Sequence, residues 1–239
     1  MPEFESIFNY LGVFYQQKGD RRKALKYHEK AMKINTQVTT STRSLLVSIN
    51  NVAADYSVFG RLDEAAGLLR KAEYIALRAS PLNELNLSII YDTMGKVANK
   101  MHHFSEAKQC LEKVVEFRAK TIPRSAMHAE SILHLSQAEK GLKNFEKAKN
   151  LAEKVVAMKF DVIKSQPQNR FISGALECLL DICILNEGGQ GLQDRYEALE
   201  EEFQRLIHFH TISNNERRVK QVTERLQSIK IRINEKDMK

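Results

Sequence analysis

FNYLGVFYQQKGDRRKALKYHEKA, residues Phe8 to Ala31, is the stretch from which the fold of this 239-residue chain can be worked out. Phe8, Leu11-Gly12 and Tyr15 recur at the three- and four-residue spacing of one helix face. Gly19 interrupts the pattern, and Ala24 and Ala31 place small residues on a second helix. Gly12 and Ala24 let two antiparallel backbones approach closely, Phe8, Leu11 and Tyr15 fill the gap between them, and Gly19 turns the chain. Such a pair cannot bury its apolar faces alone, so stacked neighbours are expected.

The neighbours come at a near-constant interval. Ala24 is matched by Ala65 after 41 residues, Ala107 after 42 more and Ala148 after another 41. The first helices of these units supply Ile49, Val52-Ala53 and Tyr56, then Tyr91 and Met94-Gly95, then Ile132 and Leu135-Ser136. The second helices supply Ala72, then Leu111 and Val114, then Ala152 and Val155. Pro2, Pro81, Pro123 and Pro167 stand at or before expected helix starts, where a missing N–H does no harm. Ser80 before Pro81 is the expected N-cap of the third unit, and Thr39 to Thr42 with Ser44 supply the signals of the second.

The pattern then loosens. A fifth pair is expected from an apolar helix between about Asn169 and Leu185, a loop at Asn186 to Gly191, and a second helix carrying Leu192, Tyr196, Leu199, Phe203 and Leu206. A last helix, from about Asn215 to Glu235, sets Val219, Val222, Leu226, Ile229 and Ile233 on one seam. The expected organisation is four repeats over 1–160, an irregular pair over 161–212 and a terminal helix over 213–239, forming one continuous all-α solenoid.

Composition agrees with a packed helical chain: 43% hydrophobic, 28% charged, ten Gly, four Pro and no Trp. Cys110, Cys178 and Cys183 show no CxxC or zinc-ligand spacing and suit small buried residues of a reducing compartment, so cytoplasm or nucleus is expected. No signal-peptide order opens the chain, and no apolar run approaches the roughly 18 residues of a membrane span. Of the net charge of +7, the last 36 residues carry +5, with nine Lys or Arg against four Asp or Glu. The repeats are therefore expected to be nearly neutral.

The order aromatic, Leu-Gly, Tyr, turn, Ala, aromatic, Ala in Phe8 to Ala31 resembles a tetratricopeptide repeat (TPR). Intervals of 41–42 exceed the usual period of about 34. Together with SINNVAADYSVFGRLDEAAGLLRKA, Ser48 to Ala72, they resemble the kinesin light chain group of that family. The resemblance implies a right-handed superhelix, closed here by a C-terminal capping helix, that binds partner peptides or helices in the concave groove lined by first helices. By register it puts Asn9, Val13 and Gln16, then Asn50, Asn51, Ala54 and Ser57, then Asp92, Lys96 and Asn99, and then Glu130, Gln137 and Lys140 in that groove. Amides dominate this set, and each offers donors and an acceptor to the backbone of an extended peptide. Some family members clamp chaperone carboxyl-terminal tails with lysines, an arginine and asparagines. Here Asn9, Val13, Ile89 and Thr93 stand at clamp positions and Asn51 alone agrees, so tail binding is not expected.

Other chemistry finds little support. His208 and His210 are two apart, His128 and His134 six apart, and His102-His103 adjacent, whereas one helical face binds a metal with spacings of three or four. Gly188 to Gly191 (GGQG) lacks the Lys-Ser or Lys-Thr of a phosphate loop. Glu200 to Glu202 reads as a solvated face. No catalytic, metal or cofactor site is expected. The terminal helix keeps three readings: a cap, a coiled-coil strand, or a basic element, with Arg217, Arg218, Lys220, Arg225, Lys230 and Arg232 around its seam, for RNA or acidic membranes. The expected function is a non-catalytic scaffold or adaptor for a protein partner. The alternative is an RNA- or membrane-associated module acting through that basic helix.

Overall fold

The computed structural model describes residues 2–37, 41–123, 125–158, 170–186, 192–212 and 216–237, and no strand occurs among them. The helices are α1 (Pro2–Gln17), α2 (Arg21–Gln37), α3 (Thr42–Val58), α4 (Leu62–Arg78), α5 (Glu84–Lys100), α6 (Phe104–Thr121), α7 (Ala126–Gly141), α8 (Phe145–Ala157), α9 (Arg170–Asn186), α10 (Leu192–Ile212) and α11 (Glu216–Asp237). They gather into two compact units, residues 1–117 and 118–239.

In the first unit each helix from α1 to α4 packs against the next, and α3 also touches α5. Leu46, Ile49 and Ala53 of α3, Ala65, Leu69, Ala72 and Ala76 of α4, and Leu87, Ile90, Met94 and Val97 of α5 form one buried cluster. Ala24, Ala65, Ala107 and Ala148, the residues that set the register, are all fully buried. Large and small side chains alternate across the helix pairs. A Cβ on Gly95 would stand 2.5 Å from Leu111, and one on Gly12 would stand 2.2 Å from the His28 ring.

The turns inside the pairs repeat as strictly as the helices do. Gly19, Gly60, His102 and Lys143, again 41, 42 and 41 apart, all take positive φ, between 60° and 79°. In each turn the following amide (Asp20, Arg61, His103, Asn144) donates to the carbonyl five residues back, at 2.9–3.0 Å, closing a Schellman motif. An L side chain costs about 1–2 kcal/mol in this conformation. His102→Gly and Lys143→Gly are each expected to raise stability by roughly 0.5–1 kcal/mol after the added unfolded-state freedom of glycine is counted, readable as a higher urea midpoint at unchanged slope.

The N-caps correct one sequence expectation. Asn83, not Ser80, caps α5, accepting from the Asn86 amide at 3.0 Å. Only the residue directly before the first helical turn can reach that amide, and Ser80 stands three positions too early. Ser41 and Ser125 do the same for α3 and α7, at 3.2 and 3.1 Å. Pro167 and the GGQG stretch lie outside the described residues.

In the second unit α7 packs on α8, α9 packs on both, α10 on α9 and α11 on α10. Leu176, Leu180, Leu199, Phe203, Leu226 and Ile229 form its core, with Tyr196 and Val222 against it. The α11 seam thus faces inward at Leu226 and Ile229, while the Ile233 side chain lies outside the described set. Two cations that flank the seam are engaged: Arg225 pairs with Glu177 of α9, and Lys230 with Glu200 of α10 at 2.7 Å. Glu201 pairs with Arg205, so the acidic run is in part bound.

His128 sits in this unit at a position where earlier repeats carry Leu45 and Leu87. It is 5% exposed, and neither ring nitrogen has a hydrogen-bond partner among the described residues. Burial first, then the charges of Lys154 and Arg118, holds its imidazole below the ordinary 6.5. A depressed pKa means that the unfolded chain takes up the proton first. Stability is therefore full above pH 6.5 and is lost as pH falls below it, with a slope of at most about 1.4 kcal/mol per pH unit. Urea midpoints at pH 7.5 and 5.5 are expected to show a larger drop for the wild type than for His128→Leu.

Cys110 and Cys178 are buried free thiols, and burial pushes Cys110 up to about 11. The Cys183 side chain lies outside the described set. No described helix is long and apolar enough to cross a membrane. Charge departs from expectation. The four repeats over 1–160 are not near neutral, with 25 Lys or Arg against 17 Asp or Glu, and α2 holds Arg21, Arg22, Lys23, Lys26, Lys30 and Lys33 against Glu29 alone.

Candidate functional site

Within the first unit, α1, α3 and α5 carry the residues expected to face a ligand. Most of these side chains already hold one helix to another or to itself. Asn9 donates to Glu5 at 2.5 Å and accepts from Asn51 of α3 at 3.4 Å. Gln16 donates to Asp55 of α3 at 3.4 Å. Ser57, 8% exposed, accepts from the Lys100 ammonium through its hydroxyl at 2.8 Å and its carbonyl at 2.9 Å. Burial, with the Arg21 charge, holds Lys100 below the ordinary lysine value. Asp92, 7% exposed, pairs with Lys96 at 2.8 Å.

The remaining members are differently placed. Asn50 is half-buried, and its Oδ1 has no hydrogen-bond partner among the described residues. Ala54 and Asn99 are half-buried, whereas Val13 is exposed. Asn9 and Asn51 are thus brought together, as are Asp92 and Lys96. Gln16 and Ser57 are drawn to partners that the sequence did not suggest.

In the second unit, Glu130 and Gln137 both approach His134 of the same helix, at 3.8 and 3.0 Å. Lys140 of α7 reaches Asp181 of α9 at 2.6 Å. Beside it, the Ser136 hydroxyl donates to the Ala148 carbonyl at 2.7 Å and lies 3.3 Å from Cys178 Sγ.

Sequence reasoning missed the most buried polar contact of the first unit. His28 Nδ1 donates to Asp55 Oδ2 at 2.6 Å, with the two side chains 1% and 0% exposed. The pair joins α2 to α3, and Gln16 brings in α1 at the second carboxylate oxygen. The signal lay in the register: His28 falls in the column of Leu69 and Leu111, and Asp55 in that of Val97. Polar residues in two apolar columns, with nothing else to meet, had to meet each other.

Among the described residues no three His, Cys, Asp or Glu side chains converge to hold a metal. A cleft of about 200 Å³ between α4, α5 and the start of α6 is lined by Leu69, Met94, Val97 and Met101 with Asp63, Arg70 and Glu106. Ordinary ligand pockets are roughly 300–1,000 Å³.

Comparisons with known proteins follow the same lines. The family model described as tetratricopeptide repeat matches residues 3–78, which span α1 to α4. A solved kinesin light chain-like protein of Podosopora anserina, with nearly identical TPR-like repeats, superimposes with TM-score 0.66 at 23% identity, covering 84% of this chain and 96% of that one. The apo form of RapI superimposes with TM-score 0.67 at 13% identity, over 98% and 85% of the two chains. MamA (41-end) from Desulfovibrio magneticus RS-1 gives 0.57 at 13%, over 84% and 96%. No curated protein matches the sequence. The fold they share is commonly a protein-interaction scaffold. Residues 3–78 thus match the tetratricopeptide-repeat model, and the helix pairs of the chain carry that repeat's fold, the one found in kinesin light chain-like repeat proteins.

Proposed function

We propose that the protein is a non-catalytic scaffold that holds an extended peptide or helix of a protein partner against the first helices α1, α3 and α5. The observation that carries this reading is a polar row in which Asn51 is fixed to Asn9 of the neighbouring helix and Lys96 to Asp92 of its own, with a buried acceptor, Asn50 Oδ1, that has no hydrogen-bond partner among the described residues. Fixed amides and a fixed ion pair are preorganised hydrogen-bond partners, so little ordering is needed when a peptide backbone arrives. Asn50 supplies the acceptor for a peptide N–H, and Lys96, at the edge of its pair with Asp92, supplies a donor.

Peptide display on the intact chain, followed by anisotropy titration of the enriched peptide, tests this. Removing three side-chain hydrogen bonds at about 0.5–1.5 kcal/mol each with Asn50→Ala, Asn51→Ala and Lys96→Ala should weaken binding by roughly 10- to 1,000-fold. Binding should change little with salt, because amides and not phosphate-type charges carry it. A peptide that binds the triple variant as well as the wild type, with both equally folded by circular dichroism, would sink the reading.

A further inference from the structure

The outer face of α1 carries a row of large apolar side chains, Phe4, Ile7 and Phe14, each half exposed. The repeat register shows what such positions are for. Their counterparts in α3 are Leu45, Ser48 and Asp55, and in α5 Leu87, Ile90 and Val97. Except for half-buried Leu45, these are between 0% and 8% exposed. In α3 and α5 this face lies against the second helix of the pair before, α2 and α4 respectively. The face is therefore shaped to receive a helix, and no described helix of this chain covers it on α1.

Charge describes that helix further. Along the same edge Phe14 meets Tyr15 edge-on, Tyr15 stacks on Tyr27 at 5.4 Å, and Tyr27 stacks on Phe8. Lys18 stands 5.7 Å from the Phe14 ring, Lys23 5.1 Å from Tyr15 and Lys30 5.3 Å from Phe8. Arg22, Lys26 and Lys33 are exposed on the same helix α2. Of the nearby acids, Glu5 is buried, Glu29 accepts from Tyr56, and Asp20 pairs with Lys23. An apolar stripe with a basic rim repels a second copy of itself, since a two-fold contact would set one cationic α2 beside another.

We propose that the outer face of the α1–α2 pair is a docking surface, separate from the first-helix row, for an amphipathic helix of a partner protein whose apolar stripe covers Phe4, Ile7 and Phe14 and whose acidic flank meets Lys18, Lys23 and Lys30. The contact reproduces, between chains, the way α2 lies on α3.

Two synthetic helical peptides of roughly 18 residues, with one leucine–alanine stripe and either glutamate or lysine flanks, test this by anisotropy against the intact chain. The glutamate peptide should bind at least tenfold more tightly and weaken as salt rises. Phe14→Asp should abolish binding, and the Asn50→Ala, Asn51→Ala, Lys96→Ala variant should leave it unchanged. Lys23→Glu with Lys30→Glu should reverse the preference, which a purely structural role for those lysines would not do. The proposal is overturned by absence of binding up to about 1 mM or by equal affinity for both peptides. It is also overturned if Phe14→Asp instead abolishes a concentration-dependent dimer, or tight binding to phosphatidylserine vesicles or to a single-stranded oligonucleotide.

Discussion

Replacing His28 by leucine should cost about 3–5 kcal/mol, because it strips a fully buried carboxylate of its closest partner and leaves Asp55 only a long contact from Gln16. Asp55→Val alone should cost about 1–3 kcal/mol, the penalty of an unpaired buried imidazole donor. The double variant should not show the sum. Leu69 and Val97 occupy the same two columns one repeat later and line a common cleft, so an aliphatic pair fits this register. His28→Leu with Asp55→Val should therefore match the wild type or exceed it by about 1–4 kcal/mol. Urea unfolding of the four proteins, followed at 222 nm by circular dichroism, closes the cycle. Additive losses would mean that the pair is not the isolated polar substitute inferred here.

The second large effect concerns two glycines inside helices. Gly12→Ala should destabilise by about 2–3 kcal/mol even though alanine is the better helix former by about 1 kcal/mol. The new Cβ would stand 2.2 Å from His28 Cδ2 and Nε2, and the ring is held by its bond to Asp55 and cannot swing away. Gly67→Ala, in the middle of α4, meets nothing within 4 Å and should stabilise by roughly 0.5–1 kcal/mol. One chemical change thus takes opposite signs in a single unit. Thermal melts of both variants decide the matter, and a Gly12→Ala protein as stable as the wild type would show that α1 can shift away from α2. In the fourth repeat Ser136 takes the place of Gly12 and Ala152 that of His28, so a side chain there accompanies a smaller residue opposite.

The helix pairs were legible because their cause is local and repeats. Ala24, Ala65, Ala107 and Ala148 declare the close approach of two backbones, and apolar residues around them declare the faces. What escaped was chemistry that depends on two columns at once. Gly12 was understood as room for a backbone, whereas it makes room for an imidazole. The polar row was legible in direction but not in partnership, since nothing local says that Ser57 will take the Lys100 ammonium or that Lys140 will take Asp181. The basic α2 was hidden by summing charge over everything before Gln204, where residues 161–203, with nine Asp or Glu against three Lys or Arg, offset it.

The turns at Gly19, Gly60, His102 and Lys143 bear on how such arrays diverge. Their backbones agree, yet two have glycine and two do not, and the family match at residues 3–78 contains only the glycine pair. Geometry imposed by the flanking helices no longer needs a permissive residue, provided that the surplus of packing free energy exceeds the strain. Those positions are then open to neutral drift, and a repeat can leave sequence recognition behind while its backbone stays where it was.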